Sequence, residues 1–95
     1  MNKKKTISEE QKDLIEEFSF FDNWQDKYEH IIDMGKKLDM LPDKYHTKEF
    51  KVEGCVSEVF LVPKKNNNLL SFQADSNSVI TRGLIAMLLR IYSDR

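Results

Sequence analysis

The side chain best suited to covalent chemistry in this 95-residue chain is Cys55, the single cysteine of the sequence. The thiolate is the nucleophilic form of cysteine, and an ordinary cysteine, with a pKa of about 8.5, is mostly the neutral thiol at pH 7. Gly54 allows an unusual backbone turn before it, and the apolar residues that follow predict a strand that would give the loop a rigid mount. The more frequent role of a lone cysteine is that of a small buried packing residue, so both roles stay open at this point.

The other polar side chains form no comparable constellation. The three glycines are too widely scattered for a phosphate-binding loop. Asp26, His30 and Asp33 lie at i, i+4 and i+7, a spacing that suits a metal ion but is far more typical of a solvated helix face. His46 falls in a predicted loop with no evident partner. Because neither histidine adjoins a nucleophile in sequence, the pattern argues against a thiol hydrolase acting alone.

Length and composition predict one globular domain over residues 1–95. Hydrophobic residues are 40% and charged residues 33% of the chain, which is an ordinary globular mixture. A net charge of -1, from 15 basic and 16 acidic residues, gives no general reason to bind nucleic acid or a membrane surface. No apolar stretch reaches the roughly 20 residues that span a bilayer, and no secretory signal is evident. With a single cysteine, we expect a free thiol in the cytoplasm.

Two amphipathic helices are predicted in the N-terminal half of the chain. Residues 1–7 are expected to be a disordered leader, and Ser8 begins a capping-box pattern that predicts a helix start. A second apolar series at intervals of three and four begins at Trp24 and ends near residues 36–37, where positive charge suits a helix C-terminus. Two consecutive helices with a short connection predict a helical hairpin.

The hydrophobic period changes in the second half of the chain. Residues 57–63 and 69–74 are rich in β-branched and aromatic side chains and predict two strands. Residues 64–68 between them predict the hairpin turn, because asparagine tolerates positive φ. Residues 50–52 leave room for a short extra strand.

A last helix completes the predicted fold. Residues 75–78 supply several candidate caps, and the apolar residues that follow form one broad face. Gly83 lies within that face and could allow close packing on the sheet, despite its cost of about 1 kcal/mol relative to alanine. The order α-α-(β)-β-β-α, with a small antiparallel sheet of two to three strands packed against helices, is an α+β fold.

Three segments carry patterns that occur together in one known family. Residues 23–28 with 31–35 form a tryptophan–tyrosine helix that ends in Ile-Ile-acid-apolar-Gly. Residues 52–60 hold a Gly-Cys-x-Ser-x-Val-aromatic loop and strand, and residues 74–77 with 80–85 are similar to an Asp-Ser-Asp loop and the helix after it. In this order and at these separations, the chain resembles the SufE proteins, sulfur acceptors that work beside a cysteine desulfurase.

The resemblance implies a SufE/IscU-like fold and the transfer of persulfide sulfur. The Cys55 thiolate would attack the outer sulfur of a persulfide on the desulfurase, and the chain would stimulate that enzyme. The sulfur would then pass to an iron–sulfur scaffold such as the SufBCD complex. The chain would need no cofactor of its own, since pyridoxal phosphate belongs to the desulfurase. It would therefore be a sulfur-transfer partner rather than a stand-alone enzyme.

The resemblance also implies contacts with the desulfurase. Glu53, Gly54 and Val56 surround the thiol and are natural contacts of a docked enzyme. Asp75 and Ser76 would join them if their loop lies at the same end of the sheet, although a helix cap alone explains Ser76 equally well. The alternative function is a non-catalytic α+β interaction module in which the cysteine is only structural. The sequence leaves open whether the chain forms a homodimer.

The chain departs from the family pattern at several places. Val56 and Glu58 stand where the family commonly has glutamine, Phe60 stands for tryptophan, and Asn77 stands for the second acid of the loop. These changes keep the thiol and alter the surface around it. Family members also continue with a further helical segment, so we expect exposed apolar surface on the last helix or the sheet.

The charges next to the thiol predict its reactivity. Glu53 and Glu58 flank Cys55 and would favour the neutral thiol, while Lys51 would oppose them. We therefore expect a thiol that is slow in the free protein and becomes active when a partner supplies positive charge.

Overall fold

The structure is a computed structural model that describes residues 5–54 and 57–94. Within these residues, helices precede a two-stranded antiparallel sheet and one helix follows it, so the α+β prediction and its element order are confirmed. The α-helices are α1 (Ile7–Ser19), α2 (Trp24–Lys36) and α3 (Val79–Tyr92), the strands are β1 (Val59–Asn66) and β2 (Leu69–Ser76), and two short 3₁₀ helices cover Asp43–Tyr45 and Lys48–Phe50.

The cap of α1 is Thr6 rather than Ser8. The Glu9 backbone N–H donates to Thr6 Oγ1 at 3.2 Å, and the Thr6 backbone N–H donates to Glu9 Oε1 at 3.0 Å. This reciprocal pair is a capping box, displaced by two residues from the predicted one. Thr6 and Ile7 therefore belong to the helix start rather than to the leader expected over residues 1–7, of which residues 1–4 lie outside the described part.

Helix α2 packs along α3, and it also contacts α1, its partner in the predicted helical hairpin, through His30 and Glu17. A Cβ atom on Gly83 would lie 2.2 Å from the Ile31 carbonyl oxygen, and one on Gly35 would lie 2.6 Å from the Gly83 backbone nitrogen. No side chain fits between backbones this close. The prediction of close packing at Gly83 was right about proximity but wrong about the partner, which is α2 and not the sheet.

The hairpin forms in the predicted place, but its turn is shorter than the predicted residues 64–68. Residues 64–66 pair within β1, and residues 57–58, which were predicted as strand, precede it. The strands pair from Val59 opposite Ser76 to Asn66 opposite Leu69. Asn67 has φ 58° at the turn, which is a left-handed conformation that asparagine adopts more readily than most residues. The predicted extra strand is reduced to a single bridge between Lys51 and Phe60.

The two faces of the sheet are covered differently. Phe60 and Val62 point to one face, where they form the buried core with Leu41, and Tyr45 and Phe50 pack against that core. Side chains alternate across a strand, so the neighbouring residues of β1 face α3 on the other side.

The face toward α3 is incompletely filled. An apolar groove with a volume of about 360 Å³ lies between the sheet and α3. Leu88 on its rim is 54% exposed. The apolar surface expected on the last helix and the sheet is therefore present. The lining residues are Val52, Val59, Leu61, Phe72, Ala74, Ile85, Leu88, Leu89 and Tyr92.

The helices of the described residues fall short of the length and apolar character needed to cross a bilayer.

Candidate functional site

The predicted nucleophile Cys55 and its neighbour Val56 lie outside the described residues, but both flanks of their loop are well defined. Lys51 forms an antiparallel bridge with Phe60, and the Val52 backbone N–H donates to the Val59 carbonyl at 2.8 Å. The chain therefore leaves and rejoins the sheet at the same place. We call residues 53–58 the Cys55 loop.

Gly54 gives this loop a backbone conformation that side chains disfavour. Its φ is +82°, and among the described residues other than its chain neighbours no atom lies within 4 Å of the position that a Cβ would take. The unusual turn predicted at Gly54 is thus present, and its cause is backbone conformation rather than crowding. Gly54 and Glu53 are both exposed, so this flank is accessible to a partner. Their predicted contact with a desulfurase stays a prediction.

The turn between β2 and α3 lies against the Cys55 loop. The Glu58 backbone N–H donates to Asn77 Oδ1 at 3.1 Å, and the Asn77 N–H donates to the Glu58 carbonyl at 3.3 Å. The turn and the loop are therefore at the same end of the sheet, which is the condition on which Asp75 and Ser76 were predicted as partner contacts. The contacts themselves stay predictions.

Ser76 forms part of the internal structure of this turn. It is only 7% exposed, and its hydroxyl accepts a hydrogen bond from the Ser78 backbone N–H at 3.3 Å. Ser78 is the actual cap of α3, since the Thr81 N–H donates to its hydroxyl at 3.4 Å. The burial of Ser76 leaves little of its surface for a partner.

Asp75 connects three parts of the molecule through one carboxylate. Its Oδ2 lies 3.0 Å from His46 Nε2, and its Oδ1 accepts from the Ser76 backbone N–H at 2.8 Å. The same Oδ1 lies 3.3 Å from Arg82 Nε in an ion pair without hydrogen-bond alignment. The sequence interpretation that His46 has no partner was wrong, because its partner is 29 residues away along the chain.

The contact with Asp75 favours the charged form of His46. The hydrogen bond to Asp75 raises the pKa of His46 above its usual 6.5, Asp43 adds to the effect, and burial partly opposes it. The imidazole also packs edge-on against Phe60, with ring centroids 5.0 Å apart. His46 is therefore held by both charge and packing.

The apolar groove begins at the Cys55 loop. Val52 and Val59, whose backbones join the two flanks of the loop, are both part of the groove lining. The groove therefore starts at the described flanks of the loop and runs along α3 as far as Tyr92.

His30, the histidine of α2, packs against α1 and the residues that follow it. His30 Nε2 lies 3.1 Å from Glu17 Oε1, and its ring contacts Phe18 and Phe21 at centroid distances of 5.1 and 5.0 Å. It joins α2 to α1 and is not part of a solvated stripe with Asp26, which corrects the sequence interpretation. Over residues 5–54 and 57–94, no group of three metal-ligating side chains is found.

The sequence matches known proteins over most of its length. Residues 12–95 match the family model described as "SufE: Fe-S metabolism associated domain". An uncharacterized SufE-like protein of Rhizobium meliloti (strain 1021) is 40% identical over 86 residues, which are 86% of this chain and 61% of that protein. A similar uncharacterized protein of Rhizobium etli is 41% identical over 86 residues, with coverage of 86% and 58%.

A relative with a descriptive name is also similar. The protein named cysteine desulfuration protein SufE of Wigglesworthia glossinidia brevipalpis is 35% identical over 83 residues, which are 85% of this chain and 57% of that protein. The chain spans about three-fifths of the length of the curated relatives it matches.

Proposed function

The chain belongs to the SufE family, and on that premise we propose that it accepts persulfide sulfur from a cysteine desulfurase on Cys55 and delivers it for iron–sulfur cluster assembly. The single observation that carries the proposal is the match to a domain associated with iron–sulfur metabolism over residues 12–95, a span that includes the loop with the chain's one cysteine.

The proposed step moves one sulfur atom between two cysteines. The Cys55 thiolate attacks the outer sulfur of the desulfurase persulfide, and a new S–S bond forms at Cys55. The S–S bond on the desulfurase breaks, and its electron pair leaves with the desulfurase thiolate. Two thiol groups exchange one sulfur, so no external oxidant or reductant is consumed.

The partners follow from the same scheme. The desulfurase supplies the sulfur with its pyridoxal phosphate, and the chain uses no cofactor of its own. An iron–sulfur scaffold of the SufBCD type receives the sulfur afterwards. We place both encounters in the cytoplasm, where a free thiol is maintained.

The surroundings of the loop support this role. The exposed Glu53 and Gly54 offer a route for an enzyme to approach the thiol. The groove that starts at Val52 and Val59 provides an apolar surface beside the loop, and such surroundings limit the access of polar reductants and oxidants to a persulfide.

Mass spectrometry after incubation with a cysteine desulfurase and cysteine tests the proposal. We expect one added sulfur atom on Cys55 and faster turnover of the desulfurase. Cys55→Ser should lose both effects. A matched control places the thiol two residues further on, as Ser57→Cys in the Cys55→Ser background, and should accept far less sulfur. If the unaltered chain acquires no sulfur and leaves the desulfurase rate unchanged, the alternative of a non-catalytic interaction module is favoured.

A further inference from the structure

Both described flanks of the Cys55 loop are held by the same turn. On the side that leads into the loop, His46 Nε2 lies 3.0 Å from Asp75 Oδ2. On the side that leaves the loop, Glu58 exchanges two hydrogen bonds with Asn77, at 3.1 and 3.3 Å. Asp75 and Asn77 are two residues apart, so one short segment fixes both flanks.

The carboxylate that receives His46 is itself immobilised. Its other oxygen accepts the Ser76 N–H at 2.8 Å and faces Arg82 Nε of α3 at 3.3 Å. A side chain that is held by a backbone donor and a cation has little freedom to follow a moving partner. Asp75 therefore acts as a fixed point to which His46 attaches.

We propose that His46 is a positioning residue that acts through Asp75 to hold the Cys55 loop in place for sulfur transfer. The proposal rests on the proposed function of Cys55. From His46 the chain runs through the 3₁₀ helix Lys48–Phe50 to the Lys51–Phe60 bridge and directly into the loop. Loss of the contact with Asp75 loosens the start of this flank, which is then held only by the Lys51–Phe60 bridge and the hydrogen bond from Val52 to Val59 among the attachments described above.

The exposure of the His46–Asp75 pair favours a role in positioning the Cys55 loop over a role in overall stability. The His46 and Asp75 side chains are 29% and 27% exposed, and partly solvated pairs contribute modestly to the free energy of unfolding. Reactive groups, in contrast, must be held within about 0.5 Å of their productive geometry. Removing the contact should therefore affect transfer far more than folding.

The strength of the contact between His46 and Asp75 depends on pH. His46 faces Asp75 of β2, with Arg82 of α3 on the far side of that carboxylate, and Asp43 of the first 3₁₀ helix lies 3.9 Å from Nδ1. The two carboxylates favour the imidazolium, so the pKa of His46 is raised above 6.5. The added stability is complete below pH 6.5 and is lost as the pH rises through the higher pKa of the folded protein.

Hydrogen exchange and sulfur transfer, measured on the same variants, test the proposal. In His46→Gln we expect amide exchange of residues 51–58 to rise roughly fivefold and the rate of sulfur acceptance below pH 7 to fall by a similar factor. His46→Arg keeps a permanent cation near Asp75 and should restore most of the acceptance rate. Its loop exchange should also lack the rise that we expect in the unaltered chain as His46 deprotonates.

His30→Gln is the matched control. His30 is also a partly buried histidine paired with a carboxylate, at 3.1 Å from Glu17, but this contact joins α2 to α1 rather than to the Cys55 loop. It should leave exchange at residues 51–58 and sulfur acceptance unchanged. The proposal is overturned if His46→Gln leaves loop exchange unchanged, or if both histidine variants lose acceptance in proportion to their thermal stability. If the unaltered chain takes up no sulfur, the function of Cys55 is refuted, and the exchange data still decide whether His46 holds the loop.

Discussion

Glycine is required at two places in this chain for different physical reasons. At Gly54 the φ of +82° is unfavourable for any residue with a Cβ, although the described residues beyond its chain neighbours leave room for one. At Gly83 the obstacle is space, because a Cβ would lie 2.2 Å from the Ile31 carbonyl oxygen. The first requirement concerns a loop and the second concerns the packing of two helices.

Alanine substitutions should separate these two requirements. Gly54→Ala should lower the free energy of unfolding by about 1 kcal/mol and slow sulfur acceptance on Cys55, since the strain falls on the loop. Gly83→Ala should cost about 3 kcal/mol or more, because two backbones must move apart. Urea denaturation followed by tryptophan fluorescence measures both. Equal losses of stability in the two variants would contradict this account.

The charges next to Cys55 along the chain determine how reactive its thiol should be. Glu53 and Glu58 stand on either side of Cys55 and Lys51 precedes them, so the nearby charges along the chain favour the neutral thiol. We expect slow alkylation by iodoacetamide at pH 7 in the isolated chain, rising toward pH 9, and faster alkylation when a desulfurase is present. A fast reaction of the isolated chain at pH 6 would refute this expectation.

Helix α1 is held to the other helices by ion pairs near both of its ends. Arg90 of α3 donates to Glu10 Oε2 at 2.8 Å and also pairs with Glu17, while Glu17 contacts His30 of α2. The bond from Arg90 lowers the pKa of Glu17 below its usual 4.5, against the effect of burial, and His30 adds to the lowering. The carboxylate form of Glu17 is thus the one that stabilises the fold.

The stability of α1 packing should therefore depend on acid pH. A depressed pKa in the folded state contributes stability above about pH 4.5 that is lost as the pH falls through the lower folded value. Glu17→Gln should reduce the free energy of unfolding by less than about 1 kcal/mol at pH 7 and by nothing measurable at pH 2. The neighbouring exposed Glu16→Gln is the control and should leave the free energy of unfolding at pH 7 nearly unchanged.

The periodicity of the sequence was sufficient to predict the helices and strands, but not the contacts that distant residues make with one another. The apolar spacing and the asparagine turn predicted the helices and the hairpin, because those signals are local. The start of α1 was ambiguous, since Thr6 with Glu9 and Ser8 with Gln11 both fit a capping box. The contact of His46 with Asp75 joins residues 29 positions apart, and no local pattern indicates such a pair.

The molecule as a whole has a sheet with one well-covered face and one partly open face. Leu41, Phe60 and Val62 are buried on the first face, and the apolar groove occupies the second, beside α3. Because the groove adjoins the Cys55 loop, the open face and the candidate site are continuous.

The groove should bind an apolar dye. We expect anilinonaphthalene sulfonate to fluoresce with the folded chain, and Leu88→Gln to reduce that signal by half or more, since the side chain lines the groove. Met40→Gln is the control, because Met40 is 88% exposed and is not part of the groove. Equal effects of the two substitutions would show that the dye binds exposed side chains in general.

The contact between Gly35 and Gly83 has a mechanical consequence. Sliding α2 by one residue along α3 would drive a side chain into a backbone, so this contact fixes the register of the two helices. A change of shape that keeps this register would have to take place in the connections on either side of the two helices.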